Sequence, residues 1–186
     1  MIMYYRKLEG ETCYLSPVDD QASHIVAKWS NDLSIAIRTG DLSDMITLKV
    51  QEDYLQGMNQ GGYGFYIVKN DGEHPIGIAR LMRVDLLNRT AVMGIFICES
   101  NQNNGLGTDV TNMLLDFGFN VINLKNIMIE TYGFNHRAIK VSKKCGFKEI
   151  GRRRKAISYG NKSYDLVYLD MLQEEFTCSK ILNELK

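Results

Sequence analysis

The spacing of apolar residues predicts helices in the first third of the chain. Ser16 followed by Pro17 is typical of a helix start, with an N-cap residue and a proline at the first helical position. A second helical stretch is predicted at about 44–59, and the glycines of 61–64 indicate a turn. The apolar face of the first helix recurs every three or four residues and comprises Ala22, Ile25, Val26, Trp29 and Leu33.

The middle of the chain has the pattern of strands. Residues 65–69, 76–84 and 90–98 are rich in Ile, Val, Phe and Met, and turn signals separate them. An antiparallel meander of three strands is therefore predicted here.

The second half alternates between helical and strand patterns. A loop at 100–107 leads into a helix at about 105–123, with a strand at 127–132, a helix at about 136–145 and strands near 147–154 and 163–172. Strand, glycine loop, helix and strand form a βαβ crossover, which places two strands in parallel and a ligand site at their carboxyl ends. The predicted fold is mixed α/β, as one domain over residues 1–186.

The glycine loop is the first candidate binding site. It consists of Gln102, Asn103, Asn104, Gly105, Leu106 and Gly107. A helix start exposes unpaired backbone N–H groups, and glycine lets phosphate oxygens approach them. The alternative is a tight turn without a ligand, since a G-x-G before a helix is a weak signal and the dinucleotide fingerprint lacks its third glycine.

Two separated motifs resemble the GCN5-related N-acetyltransferase (GNAT) superfamily. Gln102, Gly105 and Gly107 match its phosphate loop, Gln/Arg-x-x-Gly-x-Gly/Ala. Residues 135–147 are similar to its Asn-x-x-Ala/Ser-x-x-x-Tyr/Ser-x-Lys-x-Gly-Phe segment. The C-terminal stretch resembles the branch of ribosomal-protein N-terminal acetyltransferases and spermidine/spermine acetyltransferases.

The resemblance implies an acyl-CoA N-acyltransferase fold: a mostly antiparallel sheet with one splayed parallel strand pair and flanking helices. It also implies acetyl-CoA as co-substrate, without a metal, and direct attack by an amine in a ternary complex. The cofactor pyrophosphate would lie on residues 102–108, which include Thr108, and Asn135 would contact the pantetheine arm or merely cap its helix. Backbone N–H groups at Phe96, Ile97 and Cys98 would point at the thioester oxygen.

The candidate catalytic residues come from the same segments. A protonated amine needs a base, and the candidates are Glu99 and Glu130, either of which could instead be an ordinary solvated carboxylate. Ser142 occupies the position of the usual tyrosine as proton donor for the leaving thiolate, or bonds back to a helix carbonyl. Tyr132 is the substitute donor.

The composition of the chain narrows the classes of binding partner that we expect. The 22 basic and 22 acidic residues give zero formal net charge, which disfavours nucleic acid, and the hydropathy pattern shows no membrane span. The four cysteines are scattered along the chain, which is typical of reduced thiols and not of disulfides. The three histidines do not have the spacing of metal ligands. We expect a cytoplasmic protein.

The resulting prediction is an N-acetyltransferase acting on a primary amine: a polyamine, an amino sugar or a peptide N-terminus. Two alternatives remain open, a catalytically weak CoA-binding sensor or interaction module and a mononucleotide-binding protein. We expect a homodimer only because dimers are the commonest oligomers of soluble proteins.

Overall fold

The computed structural model describes residues 4–40, 42–102 and 105–183. Within these residues, eight strands form one sheet. The strands are β1 (Leu8–Glu9), β2 (Cys13–Pro17), β3 (Tyr63–Lys69), β4 (Pro75–Asp85), β5 (Thr90–Ile97), β6 (Asn126–Tyr132), β7 (Lys148–Tyr159) and β8 (Lys162–Leu172). The helices are α1 (Ser23–Ser30), α2 (Leu33–Thr39), α3 (Leu48–Gly57), α4 (Leu106–Asp116) and α5 (His136–Lys144).

The sheet confirms the predicted mixed topology. Its strand order is β1-β2-β3-β4-β5-β6-β8-β7, and the predicted meander is β3, β4 and β5. Strands β5 and β6 are parallel and α4 connects them, so the βαβ crossover is also confirmed. The other neighbouring strands are antiparallel.

The parallel pair opens into a wedge. In the described part of the chain, the pairing of β5 with β6 begins at Thr90 and Asn126 and ends at Met93 and Ile129. Both strands continue past that point, β5 to Ile97 and β6 to Tyr132. Beyond Met93 and Ile129, the two strands are therefore not paired with each other, and the gap between their carboxyl ends is the wedge.

Helices cover the two faces of the sheet. Helix α4 packs on one face through Val110 and Leu114, both fully buried, and continues into a π-helical turn at Phe117–Val121. On the other face, α1 and α3 pack through Val26 and Leu55 against the β3 residue Tyr66. No helix in the described ranges is long and apolar enough to cross a membrane.

The predicted helix start at Ser16 is wrong. Ser16 lies in β2 opposite Tyr66 of β3, and its side chain is buried. The preceding Cys13, Tyr14 and Leu15 are also buried, as in a strand covered on both faces. Pairing with β3 therefore overrides the local Ser-Pro capping signal, and the helix begins only at Ser23.

The predicted continuous helical face also breaks before Leu33. Asp32 has extended backbone and caps α2, accepting from the Ser34 N–H at 2.8 Å. The second helix is shorter than the predicted 44–59, because Thr47 caps it at Leu48. The carboxamide of Asn31 holds the backbone of Ile46 through both its oxygen and its nitrogen, which ties the ends of this segment together.

Candidate active site

Backbone direction decides which groups of β5 face the wedge. The Cys98 N–H donates to the Ile76 carbonyl across the sheet at 2.8 Å. Because N–H groups alternate sides along an antiparallel strand, the Phe96 N–H also points to β4 and the Ile97 N–H points into the wedge. The expectation that all three N–H groups face a thioester is therefore wrong, and only that of Ile97 has the required direction.

The same alternation applies to β6. The Gly133 N–H donates to the Asp165 carbonyl at 2.8 Å, so odd-numbered residues of β6 bond to β8. The backbone groups of Glu130 and Tyr132 consequently face the wedge from its other side.

The phosphate loop lies at the mouth of the wedge. Gly105 has φ of 79°, a left-handed conformation in which glycine is favoured, and it precedes the first residue of α4. Leu106 buries its side chain in the core, while Thr108 donates its N–H back to Gly105 at 2.9 Å. The Asp109 N–H also donates to the Gly105 carbonyl, at 3.2 Å, so the N–H groups at the start of α4 that are left to meet an anion are those of Leu106 and Gly107. The predicted residues Asn103 and Asn104 lie outside the described residues.

Gly107 has no packing reason to be glycine. A Cβ at this position would meet only the Val141 side chain, at 3.6 Å, which is ordinary van der Waals contact. The absence of a side chain is thus not required by the protein itself. It leaves the approach to the helix N-terminus open, as an anion requires.

Asp109 ties the β1–β2 turn to α4. Its carboxylate accepts from the Thr12 N–H at 2.7 Å and the Thr12 hydroxyl at 2.8 Å. Burial raises the pKa of Asp109, but the hydrogen bonds from Thr12 outweigh burial and hold this pKa below its usual 3.8. The stabilisation is therefore fully present above pH 3.8 and is lost as the pH falls through the lower folded-state pKa.

Replacing Asp109 with asparagine tests this linkage. We expect Asp109→Asn to lower the free energy of unfolding by roughly 1–2 kcal/mol at pH 7, because a charged acceptor is lost. The difference from the wild type should shrink as the pH falls below 3.8. Urea unfolding at several pH values measures it, and a difference that stays constant into acid would contradict the role of the carboxylate.

A cavity of about 570 Å³ lies where β5 ends. Its apolar wall includes Trp29, whose ring centroid is 5.5 Å from that of Phe96 on β5. Its polar lining includes Lys28, Asp32 and Glu99. Sequence reasoning missed Asp32 and Lys28, because they were placed within one continuous helix. The capping pattern Asn31-Asp32 before Leu33 is the signal that could have revealed the break.

The two candidate bases lie in different surroundings. Glu99 is exposed in a short 3₁₀ turn directly after β5 and lines the cavity. Glu130 forms an ion pair with Arg83 of β4 at 2.7 Å. Because Glu130 is held by Arg83 whereas Glu99 lines the cavity, the geometry favours Glu99 as the candidate base.

The two candidate proton donors also differ. Ser142 is buried, and its hydroxyl donates to the Ala138 carbonyl one turn earlier in α5 at 2.8 Å. The Tyr132 hydroxyl lies against Gly40 at the end of α2, at the open end of β6, and its ring stacks on Phe134. Of these two residues, Tyr132 belongs to a strand of the wedge, whereas Ser142 lies on α5. Asn135 caps α5 by accepting from the Ala138 N–H at 3.2 Å, and its contact with a cofactor stays a prediction.

Cys98 borders the cavity as a neutral thiol. Burial raises its pKa, and a hydrogen bond from Trp29 opposes this effect without reversing it. A protonated thiol is a poor nucleophile, which argues against an acyl-cysteine intermediate. Among the described residues, no three His, Cys, Asp or Glu side chains are grouped so that they could hold a metal ion.

Comparison with known proteins identifies the family. The acetyltransferase (GNAT) domain matches residues 14–148. The chain belongs to the GNAT family. It is thus a member of the N-acetyltransferases, and the wedge and phosphate loop described above lie within the matched segment.

Individual relatives share this architecture. Spermidine N(1)-acetyltransferase of Vibrio cholerae is 23% identical over 128 residues, which cover 69% of this chain and 74% of the relative. YdaF of Bacillus subtilis (strain 168), provisionally named a ribosomal N-acetyltransferase, is 27% identical over 56% of this chain and 57% of its own. The crystal structure of the Vibrio cholerae spermidine enzyme with CoA and spermine superposes with a TM-score of 0.80 at 19% identity, covering 88% of this chain and 96% of that one.

Proposed function

We propose that this GNAT protein transfers the acetyl group of acetyl-CoA to a primary amine of a small cationic acceptor, with polyamines as the leading class. The wedge between β5 and β6 is the observation that carries the proposal. At its open end, β5 leads into the helix start that could bind an anion and borders the cavity that Asp32 and Glu99 line. A long cofactor with a pyrophosphate and an extended amide-containing arm suits this arrangement.

The donor half follows from the backbone. A pyrophosphate would lie on the N–H groups of the first turn of α4, which also carries the positive end of the helix dipole. The pantetheine arm would run beside β5, with the thioester carbonyl oxygen at the Ile97 N–H. That N–H stabilises the negative charge that develops on this oxygen during attack.

The acceptor half follows from the cavity. Asp32 and Glu99 supply two carboxylates against the one ammonium of Lys28, so the lining attracts cations. Trp29 and Ile35 offer apolar wall to an alkyl chain between the charges. The Vibrio cholerae relative is named for spermidine, which has this combination of chain and charge.

Side chains of this protein can carry each proton transfer that the reaction requires. An alkyl ammonium with a pKa of about 10.4 must lose a proton, which Glu99 accepts directly or through water. The amine nitrogen then attacks the thioester carbon, a C–N bond forms and the C–S bond breaks. The departing thiolate takes a proton from the Tyr132 hydroxyl, and the second proton lost by the amine nitrogen returns to the Tyr132 phenolate, so that a neutral amide and the free thiol result.

Paired substitutions separate the two proton donors. Tyr132→Phe is expected to lower kcat about tenfold and leave the Kd for acetyl-CoA unchanged, since only the leaving thiolate loses its donor. Ser142→Ala is expected to leave kcat within about twofold, because its hydroxyl is engaged by Ala138. Steady-state kinetics over a pH range measures both. A large kcat loss in the serine variant alone would return the role to Ser142.

The experiment that tests the function has two stages. Calorimetric titration with acetyl-CoA, with ATP and NAD as controls, tests the donor, and saturable binding of acetyl-CoA alone is expected. Thiol release with spermidine, an amino sugar and a short peptide then tests the acceptor, and spermidine is expected to be preferred. Binding without turnover on any amine would favour the CoA sensor, and preferred turnover of the peptide would replace the polyamine by a peptide N-terminus.

A further inference from the structure

The side chain of Gln102 makes two hydrogen bonds to other parts of the protein, one with Ile97 and one with Arg137. Neither bond is required for a phosphate to bind the backbone of the loop. We propose that Gln102 is a positioning residue, whose carboxamide joins the Ile97 carbonyl of β5 to Arg137 of α5 and so fixes the mouth of the wedge. This inference rests on the proposed use of acetyl-CoA.

The first contact fixes the open end of β5. Gln102 Nε2 donates to the Ile97 carbonyl oxygen at 2.6 Å. Ile97 faces the wedge, so its carbonyl lost a β-sheet partner when β6 diverged, and an unpaired carbonyl there would cost free energy. The next N–H, of Cys98, is held by Ile76. The peptide between Ile97 and Cys98 is thus fixed at both its oxygen and its nitrogen, which holds the open end of β5 directly after the Ile97 N–H.

The second contact aims a cation at the phosphate loop. Gln102 Oε1 accepts from the guanidinium of Arg137, an exposed residue in the first turn of α5. Gln102 precedes Gly105 by three residues, so this guanidinium is held beside the loop. A guanidinium has five N–H donors in a planar fork that matches phosphate, and only part of that fork is used by Gln102.

A carboxamide suits both contacts because it donates and accepts at once. Glutamate at position 102 has nearly the same shape and still accepts from Arg137, but it cannot donate to the Ile97 carbonyl. Arginine, which the family motif also allows, can donate to Ile97 but repels Arg137. The two substitutions therefore remove opposite halves of the link.

The test is a split between kcat and KM. Gln102→Glu is expected to lower kcat about tenfold and change the KM for acetyl-CoA by less than about threefold, because the Ile97 carbonyl at the open end of β5 loses its donor while the new carboxylate stays paired with Arg137. Gln102→Arg and Arg137→Met are expected to raise this KM about tenfold with kcat within about twofold, because phosphate is bound less well. Lys125→Met removes an exposed charge at the closed end of β6, and its kinetics should match the wild type.

The outcomes separate this inference from the proposed function. If the wild type binds and uses acetyl-CoA but both Gln102 variants retain its kcat and KM, the positioning role is wrong and the function stands. If both variants show a lower kcat, a higher KM for acetyl-CoA and a lower melting temperature, the Gln102 side chain is merely structural and the positioning role is wrong. If the wild type does not bind acetyl-CoA in the calorimeter, the proposed function falls and this inference falls with it.

Discussion

Valine in place of Gly107 is expected to raise the Kd for acetyl-CoA about 100-fold, because a loss of about 3 kcal/mol in charge-assisted hydrogen bonds corresponds to that factor. The branched side chain would occupy the approach to the N–H groups at the start of α4. The first atom of that side chain is tolerated, since a Cβ meets only Val141 at 3.6 Å. Valine also has a higher helix propensity than glycine. The melting temperature should therefore hold while the binding of acetyl-CoA is lost, as thermal unfolding and calorimetry would show.

Alanine at the same position is the matched control. Gly107→Ala adds a single methyl group and is expected to raise the free energy of unfolding by roughly 0.5–1 kcal/mol, through lower chain entropy in the unfolded state. Its Kd for acetyl-CoA should stay within about fivefold of the wild type, since a methyl group blocks less of the approach. Unchanged affinity in the valine variant would remove the loop from cofactor binding. Gly105→Ala should behave differently and destabilise the protein, because φ at Gly105 is 79°.

Alanine in place of Asp116 is expected to produce the largest loss of stability, about 3 kcal/mol in the free energy of unfolding. This carboxylate is buried at the end of α4 and accepts from the side chains of Asn120 and Ser179 at 2.7 Å each. It also accepts from the backbone N–H groups of Lys180 at 2.7 Å and Ile181 at 2.9 Å. Removing the carboxylate leaves these half-buried donors without their acceptor and releases the segment after β8.

Urea unfolding of Asp116→Ala, with amide exchange at residues 179–183, measures this effect. Asp53→Ala is the matched control, because Asp53 is exposed and forms only a surface pair with Lys49 at 2.8 Å; its change should stay within about 0.5 kcal/mol. At temperatures below unfolding, kcat of the Asp116 variant should equal that of the wild type, because α4 meets the phosphate loop at its other end. A stability change below 1 kcal/mol would show that water replaces the carboxylate without cost.

The sequence by itself determined the half of the fold whose signals are local. Alternating apolar residues predicted β3, β4 and β5, and the helical period after Gly105 predicted α4. The spacing of Gln102, Gly105 and Gly107 predicted a glycine turn into a helix start, because glycine and a helix start act through the backbone of their own segment, and the binding of an anion there stays a prediction. These elements need no distant partner to be recognised.

Tertiary structure decided whatever depends on a partner far along the chain. Ser16 carries a helix-start signal, yet pairing with Tyr66 makes it part of a strand. The roles open to Ser142 and Gln102 follow from which carbonyl or guanidinium each one meets, and Asp32 joins the cavity because α2 begins where α1 has ended. Residue type fixes what a side chain can donate or accept, but only packing brings its partner within hydrogen-bonding distance. The sequence therefore indicated the kind of chemistry, and the tertiary structure decided which residue has which partner.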